Sequence, residues 1–342
     1  MKRSEAVTSV CVGDVLNLPI GANVVAILAV SVWIGVQLCS PSRLFRLRNA
    51  LYARRATVAD FAWKPVNVPA EFRQETGSAP ASFKGAAMRL KLTECGSDWQ
   101  RALRIAEHLT MFARDLGPIR SDLETTYARI QAGYGYCADF VKVFLGLAYV
   151  SGIFARQWSF SFNGFGGFGH TVVEVFDRDA DKWLFLDVYN NIHVCDVATS
   201  APMGALEFRE ALLRALPAIK IARNGAGRLG YPIEDKLLAY FRRGLQEWHL
   251  VSGNAVFFYE AHPLVRWSSR ISGPVGQIVA GCLGKHPSIQ VLATPQNAAA
   301  IDALIALAQR FRIAIIVFMV LVVTLMGQVS ASGLASLLRQ AI

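Results

Sequence analysis

Two long apolar runs constrain this chain more than any other feature. The first extends from about Ile20 to Leu38, interrupted only by the polar Asn23, Ser31 and Gln37. The second extends from Ile313 to Val329 and is more strongly apolar. Each approaches the roughly 20 residues that carry a helix across a bilayer. They predict two transmembrane helices with a large region between them; the competing reading of either run is a buried helix of a soluble core. Composition agrees with the membrane reading. Of 342 residues, 53% are hydrophobic and 18% charged, which is too apolar for an ordinary soluble chain.

The first run does not read as a cleavable leader. It starts late, after a stretch holding Arg3, Glu5 and Asp14, and no small-x-small site follows it. Cys39 stands where a lipoprotein signal places its cysteine, but Leu38 takes the position such a signal gives to a small residue. Basic residues flank the inner ends of both runs: Arg43, Arg46, Arg48, Arg54 and Arg55 after the first, Arg310 and Arg312 before the second. The outer ends carry only Lys2, Arg3 and Arg339. By the positive-inside rule the central region is cytoplasmic, as in a bacterial inner-membrane protein, and both termini lie outside. The net charge of +10 is in part this flank effect, so nucleic acid is not expected as a partner.

The six cysteines are scattered, with no Cys-x-x-Cys pair, so neither a zinc knuckle nor a disulfide framework is expected. Lys64 to Lys84 holds three prolines and reads as an irregular linker. Helical spacing marks Trp99–Phe112 and Asp122–Ile130, then an apolar helix starting near Cys137 and ending near Ser151-Gly152. Ala155–Phe162 alternates as a strand. His170–Phe176 and Lys182–Val188 read as a hairpin around Asp-Arg-Asp-Ala-Asp. Leu206–Leu216 and Glu234–Leu250 are amphipathic, Ser252–Pro295 shows no clear period, and Ala298–Arg310 reads as a helix running into the second span.

Three residues stand in an order that carries chemistry: Cys137, His170 and Asp187. Cys137 closes Gly-Tyr-Gly-Tyr-Cys at the start of the apolar helix. A helix N-terminus offers partial positive charge and free N–H groups, which favour a thiolate and can stabilise an oxyanion. His170 ends a glycine-rich loop, and Asp187 ends the strand Trp-Leu-Phe-Leu. A thiol, an imidazole and an orienting carboxylate are the parts of a cysteine acyl-transfer site. If Phe176 pairs with Trp183, His170 falls opposite Tyr189 and Asp187 is its diagonal neighbour on the same face. A register shifted by two makes His170 and Asp187 face each other. Either way the Cβ atoms lie about 5–8 Å apart; a one-residue slip would separate them. Each residue also has an ordinary reading: an inert buried thiol, a polar strand start, a strand-end turn.

Four blocks in this order resemble the transglutaminase-like superfamily of papain-related cysteine enzymes. They are Gly135-Tyr-Cys-Ala-Asp-Phe140, Ser151-Gly-Ile-Phe-Ala-Arg156, Gly169-His-Thr-Val-Val-Glu-Val175 and Lys182-Trp-Leu-Phe-Leu-Asp187, and they span about residues 95–195. The resemblance implies an α+β fold with a papain-like or transglutaminase-like core: a Cys-bearing helix packed on an antiparallel sheet that carries His and Asp. It implies Cys137 as nucleophile, His170 as acid/base and Asp187 as orienting group. Gln131, six residues before Cys137, stands where papain has an oxyanion donor; its other reading is a solvated helix-end residue. The spacer Asn163–Gly169 departs from the pattern. It reads as a lid with apolar contacts to substrate, or as a tight turn packed on the core.

These readings divide the chain into an N-terminal segment (1–19), a transmembrane helix (20–38), a basic juxtamembrane and linker region (39–84), a transglutaminase-like catalytic domain (85–200), a mostly helical extension (201–312), a second transmembrane helix (313–329) and a C-terminal tail (330–342). The expected protein is a membrane-anchored enzyme acting on protein or peptide amides, hydrolysis being favoured over amine crosslinking. No cofactor is expected. His193, His249, His262 and His286 show no ligand-like spacing. The rival expectations are a non-catalytic assembly protein using the same fold, and a metal site at Cys137, His170 and Asp187.

Overall fold

A computed structural model describes residues 19–214, 219–225, 227 and 230–340. The N-terminal segment expected over 1–19 lies, apart from Pro19, outside the described residues. The described residues form an α+β fold with one mixed eight-stranded sheet and twelve α-helices. The strands are β1 (Ala53–Ala56), β2 (Ala155–Phe162), β3 (Gly166–Asp177), β4 (Lys182–Asp187), β5 (Ile192–Asp196), β6 (Ile219–Arg223), β7 (Trp248–Val251) and β8 (Ile289–Leu292). Their order across the sheet is β1-β8-β7-β2-β3-β4-β5-β6. Only β1 and β8 run parallel; the other neighbours are antiparallel.

The inner strands of the sheet are buried on both faces, while the edge strands β1 and β6 are partly exposed. Ahead of β2 in the chain come α1 (Ile20–Leu38) and α2 (Pro41–Tyr52), then, after β1, α3 (Ala81–Arg89), α4 (Asp98–Thr110), α5 (Leu123–Gln131) and α6 (Cys137–Val150). Helix α6 is nearly all apolar because it is the centre of one core. Phe140, Val143, Phe144 and Leu147 pack with α3, α4 and α5 on one side and with Val173, Val175 and Leu186 of the sheet on the other. The opposite face carries a second core, with Trp158, Phe160, Val172 and Phe185 against α7 (Ala205–Leu213) and α8 (Glu234–Arg243). Consecutive residues Val172 and Val173 thus serve different cores, as the two-residue period of a strand requires.

The remaining helices are α9 (Val256–Glu260), α10 (Pro263–Ile271), α11 (Gly273–Cys282) and α12 (Ala298–Gln340). Helices α1 and α12 are long and apolar enough to cross a membrane. They pair antiparallel: Asn23 Nδ2 donates to Gln328 Oε1 at 3.3 Å near one end, and Trp33 meets Phe311 at 6.3 Å near the other. Helix α12 is one unbroken element of 43 residues, so the expected amphipathic stretch, the span and most of the C-terminal tail are continuous.

Several elements differ from expectation. The helix expected over Glu234–Leu250 stops at Arg243, where Gly244 caps it. Trp248–Val251 is instead β7, buried at every position between β2 and β8. The stretch Ser252–Pro295 contains α9, α10, α11 and β8. The extension 201–312 therefore supplies three strands to the central sheet, rather than helices alone. Four- and five-residue strands are too short to show a period, and their place is decided by the neighbours that pair with them.

Candidate active site

Cys137 is the first residue of α6, brought there by a turn that only glycine accommodates easily. Gly135 has φ +115°, and its N–H donates to Gly117 O at 2.8 Å. Asp139, three residues beyond the N-cap Tyr136, accepts from Tyr136 N at 2.9 Å and from Ile119 N at 3.3 Å. This fixes the helix start and leaves the N–H groups of Cys137 and Ala138 without a protein acceptor among the described residues.

His170 and Asp187 come from the hairpin. The observed pairs are Phe176 with Trp183 and Val173 with Leu186, the first of the two registers considered from sequence. The β3–β4 ladder ends at that second pair, so both residues lie just beyond it. Here the imidazole Nε2 sits 2.8 Å from Asp187 Oδ2. Both side chains are buried, Asp187 completely. Asn190 closes the arrangement. Its side-chain amide donates to Asp187 Oδ2 at 2.6 Å, and its backbone N–H donates to Oδ1 at 3.1 Å.

The thiol of Cys137 stands near enough to the His170 ring to help raise its pKa. With Nε2 facing the carboxylate, Nδ1 is the nitrogen left for sulfur. Helix α6 belongs to one core, whereas His170 and Asp187 share strand parity with residues of the other. Thiol and imidazole therefore meet from opposite faces, where the ladder stops. Burial pulls the His170 pKa down, but the Asp187 charge and hydrogen bond, with Cys137 adding to them, raise it to about 10. The carboxylate thus favours the protonated ring.

Aromatic rings enclose the imidazole: Phe160, Tyr240 and Phe241 stand 5.7–5.8 Å from it. Tyr240 donates to Gly169 O at 2.9 Å and so fixes the backbone next to His170. At Gly169 a side chain would collide with the Phe160 carbonyl, so the strand pair can close only over a glycine. Burial raises the phenol pKa of both Tyr189 and Tyr240, and each remains neutral.

Gln131, the last residue of α5, has a buried Nε2 with no hydrogen-bond partner. No hydrogen bond joins it to Cys137 or His170 among the described residues. The carboxylates nearest in sequence to the Cys and Asp blocks are occupied elsewhere, Asp139 at the helix cap and Asp196 by Thr199 and Ala198. The spacer before His170 does not behave as an open lid where its side chains are described. Phe165 is fully buried, Asn49 Nδ2 donates to its carbonyl at 2.7 Å, and Glu247 accepts from Gly164 N and Phe165 N at 2.6 Å each. The reading that holds for Asn163–Gly166 is a turn packed on the core.

Sequence reasoning missed Asn190 and Tyr240. Asn190 follows Asp187 by three residues, a spacing at which a carboxylate caps a turn, so a local signal existed. Tyr240 had none, since it arrives from α8 through tertiary packing. Among the described residues no group of three His, Cys, Asp or Glu side chains is placed to hold a metal ion. Comparisons with protein-family models, with curated proteins and with solved structures find no match to this chain.

Proposed function

We propose that this chain is a membrane-anchored cysteine enzyme with a transglutaminase-like core that cleaves or transfers an acyl group at an amide bond. The observation that carries this is the buried His170–Asp187 pair at 2.8 Å, met by the thiol of Cys137 at a helix N-terminus. The substrate class is a protein or peptide amide. The sulfur attacks the carbonyl carbon, and the developing oxyanion turns to the free N–H groups of Cys137 and Ala138. His170 holds the proton and passes it to the departing amine as the C–N bond breaks, leaving a thioester on Cys137. Water then attacks the thioester and gives its proton to the ring, and the acid leaves as the Cys137 thiolate reforms beside the protonated imidazole. An amine in place of water would give crosslinking by the same steps; hydrolysis is favoured because no second, water-excluding acceptor site is evident.

Asp187 and Asn190 act by fixing the ring so that Nδ1 meets sulfur. The membrane anchor is supported by α1 and α12, whose side chains Val25, Val32, Ile316 and Val323 are each more than 60% exposed. The arginines flanking their inner ends support a cytoplasmic catalytic region.

The test is labelling of the full chain with an electrophilic amide-mimicking probe. Cys137→Ala should abolish labelling, while Cys195→Ala, outside the site, should keep it. Labelling that persists in Cys137→Ala overturns the proposal. Orientation is tested with a membrane-impermeant thiol reagent on intact cells; modification of Cys95 from outside would reverse the topology.

A further inference from the structure

Arg48 lies in α2, the helix that follows the first span, and its charge has no counterpart. Its Nε is buried without a partner, and among the described residues it makes no hydrogen bond and no ion pair. Its guanidinium stands over the face of Phe45, 5.6 Å away. Burial lowers its pKa to about 10, so it remains a cation at neutral pH. Its field is felt nearby: burial first, then Arg48, drives His249 and His286 down to about 3. Arg48 is half-buried, and an Nε held away from water without an acid beside it is costly, since such charges are ordinarily paired.

This arginine lines a cavity of about 80 Å³. A buried water needs roughly 10–15 Å³ of such space, so the cavity can take a group the size of several waters. Lys142 of α6 and Tyr259 of α9 line it too, with Gln277 of α11, whose Oε1 is buried without a partner. A half-turn of that amide would offer its NH₂ to the same occupant. The single acid on the wall is Glu260, which burial pushes toward the neutral form and whose carboxylate accepts from Leu123 N at 2.5 Å. Two cations, a phenol and an amide against one engaged carboxyl make a wall suited to an anion.

The cavity stands beside the membrane-facing end of the fold. Both ends of α2 are tied to the spans: Arg43 Nη1 donates to Val36 O at 3.2 Å, and Arg312 Nη2 donates to Leu51 O at 3.2 Å. Tyr52 at the end of α2 donates to Ile278 O of α11 at 3.1 Å. Next to α11, helix α10 exposes Leu264, Trp267 and Ile271 on one stripe, with Arg266 and Arg270 beside it. An aromatic, apolar stripe bordered by arginines is the pattern of a helix at a lipid–water boundary.

We propose that this cavity binds a phosphate group, with Arg48 as its principal cation. Membrane position makes a lipid headgroup one source and free phosphate or pyrophosphate the other. The proposal does not rest on the chemistry of Cys137, and Cys137→Ala should bind equally well.

The experiment uses the full chain. In detergent, thermal unfolding is followed with increasing inorganic phosphate or pyrophosphate, with chloride matched for ionic strength. In nanodiscs, neutral phosphatidylcholine is compared with phosphatidic acid. Saturable stabilisation by the soluble anions assigns a free phosphate source; stabilisation by phosphatidic acid alone assigns the headgroup. In either case Arg48→Gln should weaken the effect about tenfold or more, and exposed Arg54→Gln should not. If Arg48→Gln does not fold, Lys142→Gln serves as the second variant, with a smaller loss expected. Absence of saturable stabilisation of the wild type in every arm, or equal stabilisation in Arg48→Gln, overturns the proposal.

Discussion

Two buried ion pairs sit four residues apart along β3. At Glu174 the carboxylate takes Arg156 Nε at 2.8 Å, Arg156 Nη2 at 2.7 Å, Trp158 Nε1 at 2.6 Å and Ala205 N at 2.6 Å. Arg156 spends another N–H on Phe61 O at 2.9 Å, and its guanidinium lies 3.9 Å over Trp183. This cluster is saturated and sealed. At His170 the carboxylate is equally well satisfied, but the imidazole keeps one nitrogen for a thiol delivered by another helix. Both pairs bear the desolvation cost of buried charge. One returns it as a fixed geometry between sheet and helices; the other leaves one bonding position open, and that position can move a proton.

The sharpest way to break this contrast is at Cys137. Cys137→Ala should remove all turnover and covalent labelling, with thermal unfolding close to that of wild type; a large drop in stability would make the thiol structural. Asp187→Asn should come next, slowing acylation by about 10²–10⁴-fold, the usual range for a positioned acid/base, while circular dichroism stays native. Full activity in this variant would show that the carboxylate does not orient the ring.

Arg156→Ala should do the opposite of Cys137→Ala. It leaves Glu174 buried without its cation, and about 3–5 kcal/mol of stability should be lost. The remaining folded fraction should label normally, and a specific loss of labelling would join the two clusters functionally. Tyr240→Phe should be smaller, costing about 1 kcal/mol through loss of its bond to Gly169 O and lowering the labelling rate by less than about tenfold.

The gentlest probe is pH. The folded pKa of His170 is raised to about 10 from an ordinary 6.5, so protonation favours the fold. Its contribution is complete below about pH 6.5 and is lost as pH rises through about 10. His249 has the reverse sign. Its pKa is lowered to about 3, so it penalises the fold progressively as pH falls from 6.5 toward 3. Urea midpoints measured across pH should show an alkaline decline that Asp187→Asn reduces, and an acid decline that it leaves unchanged.

The parts of this molecule that could be read from sequence are those with a local cause. The strand Ala155–Phe162 and the helix start at Cys137 carry their own period and turn, and the structure puts them at those bounds. The hairpin was legible too, but two registers stayed open from sequence, and the structure has the one that pairs Phe176 with Trp183. What escaped has remote causes. Strand β7 exists because β2 and β8 offer it partners on both edges, and nothing inside Trp-His-Leu-Val distinguishes it from a helix end. Tyr240 reaches the site only because α8 packs over Phe160, through Tyr240 and Phe241. The Arg156–Glu174 pair was visible as two residues in separate strands, but its burial was not, since a charge becomes a core residue only when the chain closes around it.

Helix α12 has a consequence for where such a protein can work. Ala308 is still packed in the core of the sheet domain, and the apolar run begins at Ile313. Four residues of helix lie between them, and from one to the other the helix rises about 8 Å. There is no slack tether there, and α1 and α2 brace the same junction. On the proposed reading, in which α1 and α12 cross a bilayer, the sheet domain cannot swing out from it to sample its surroundings. The proposed enzyme would search in two dimensions, within a thin shell above the lipid, and height above the membrane would filter substrates before any side chain is read.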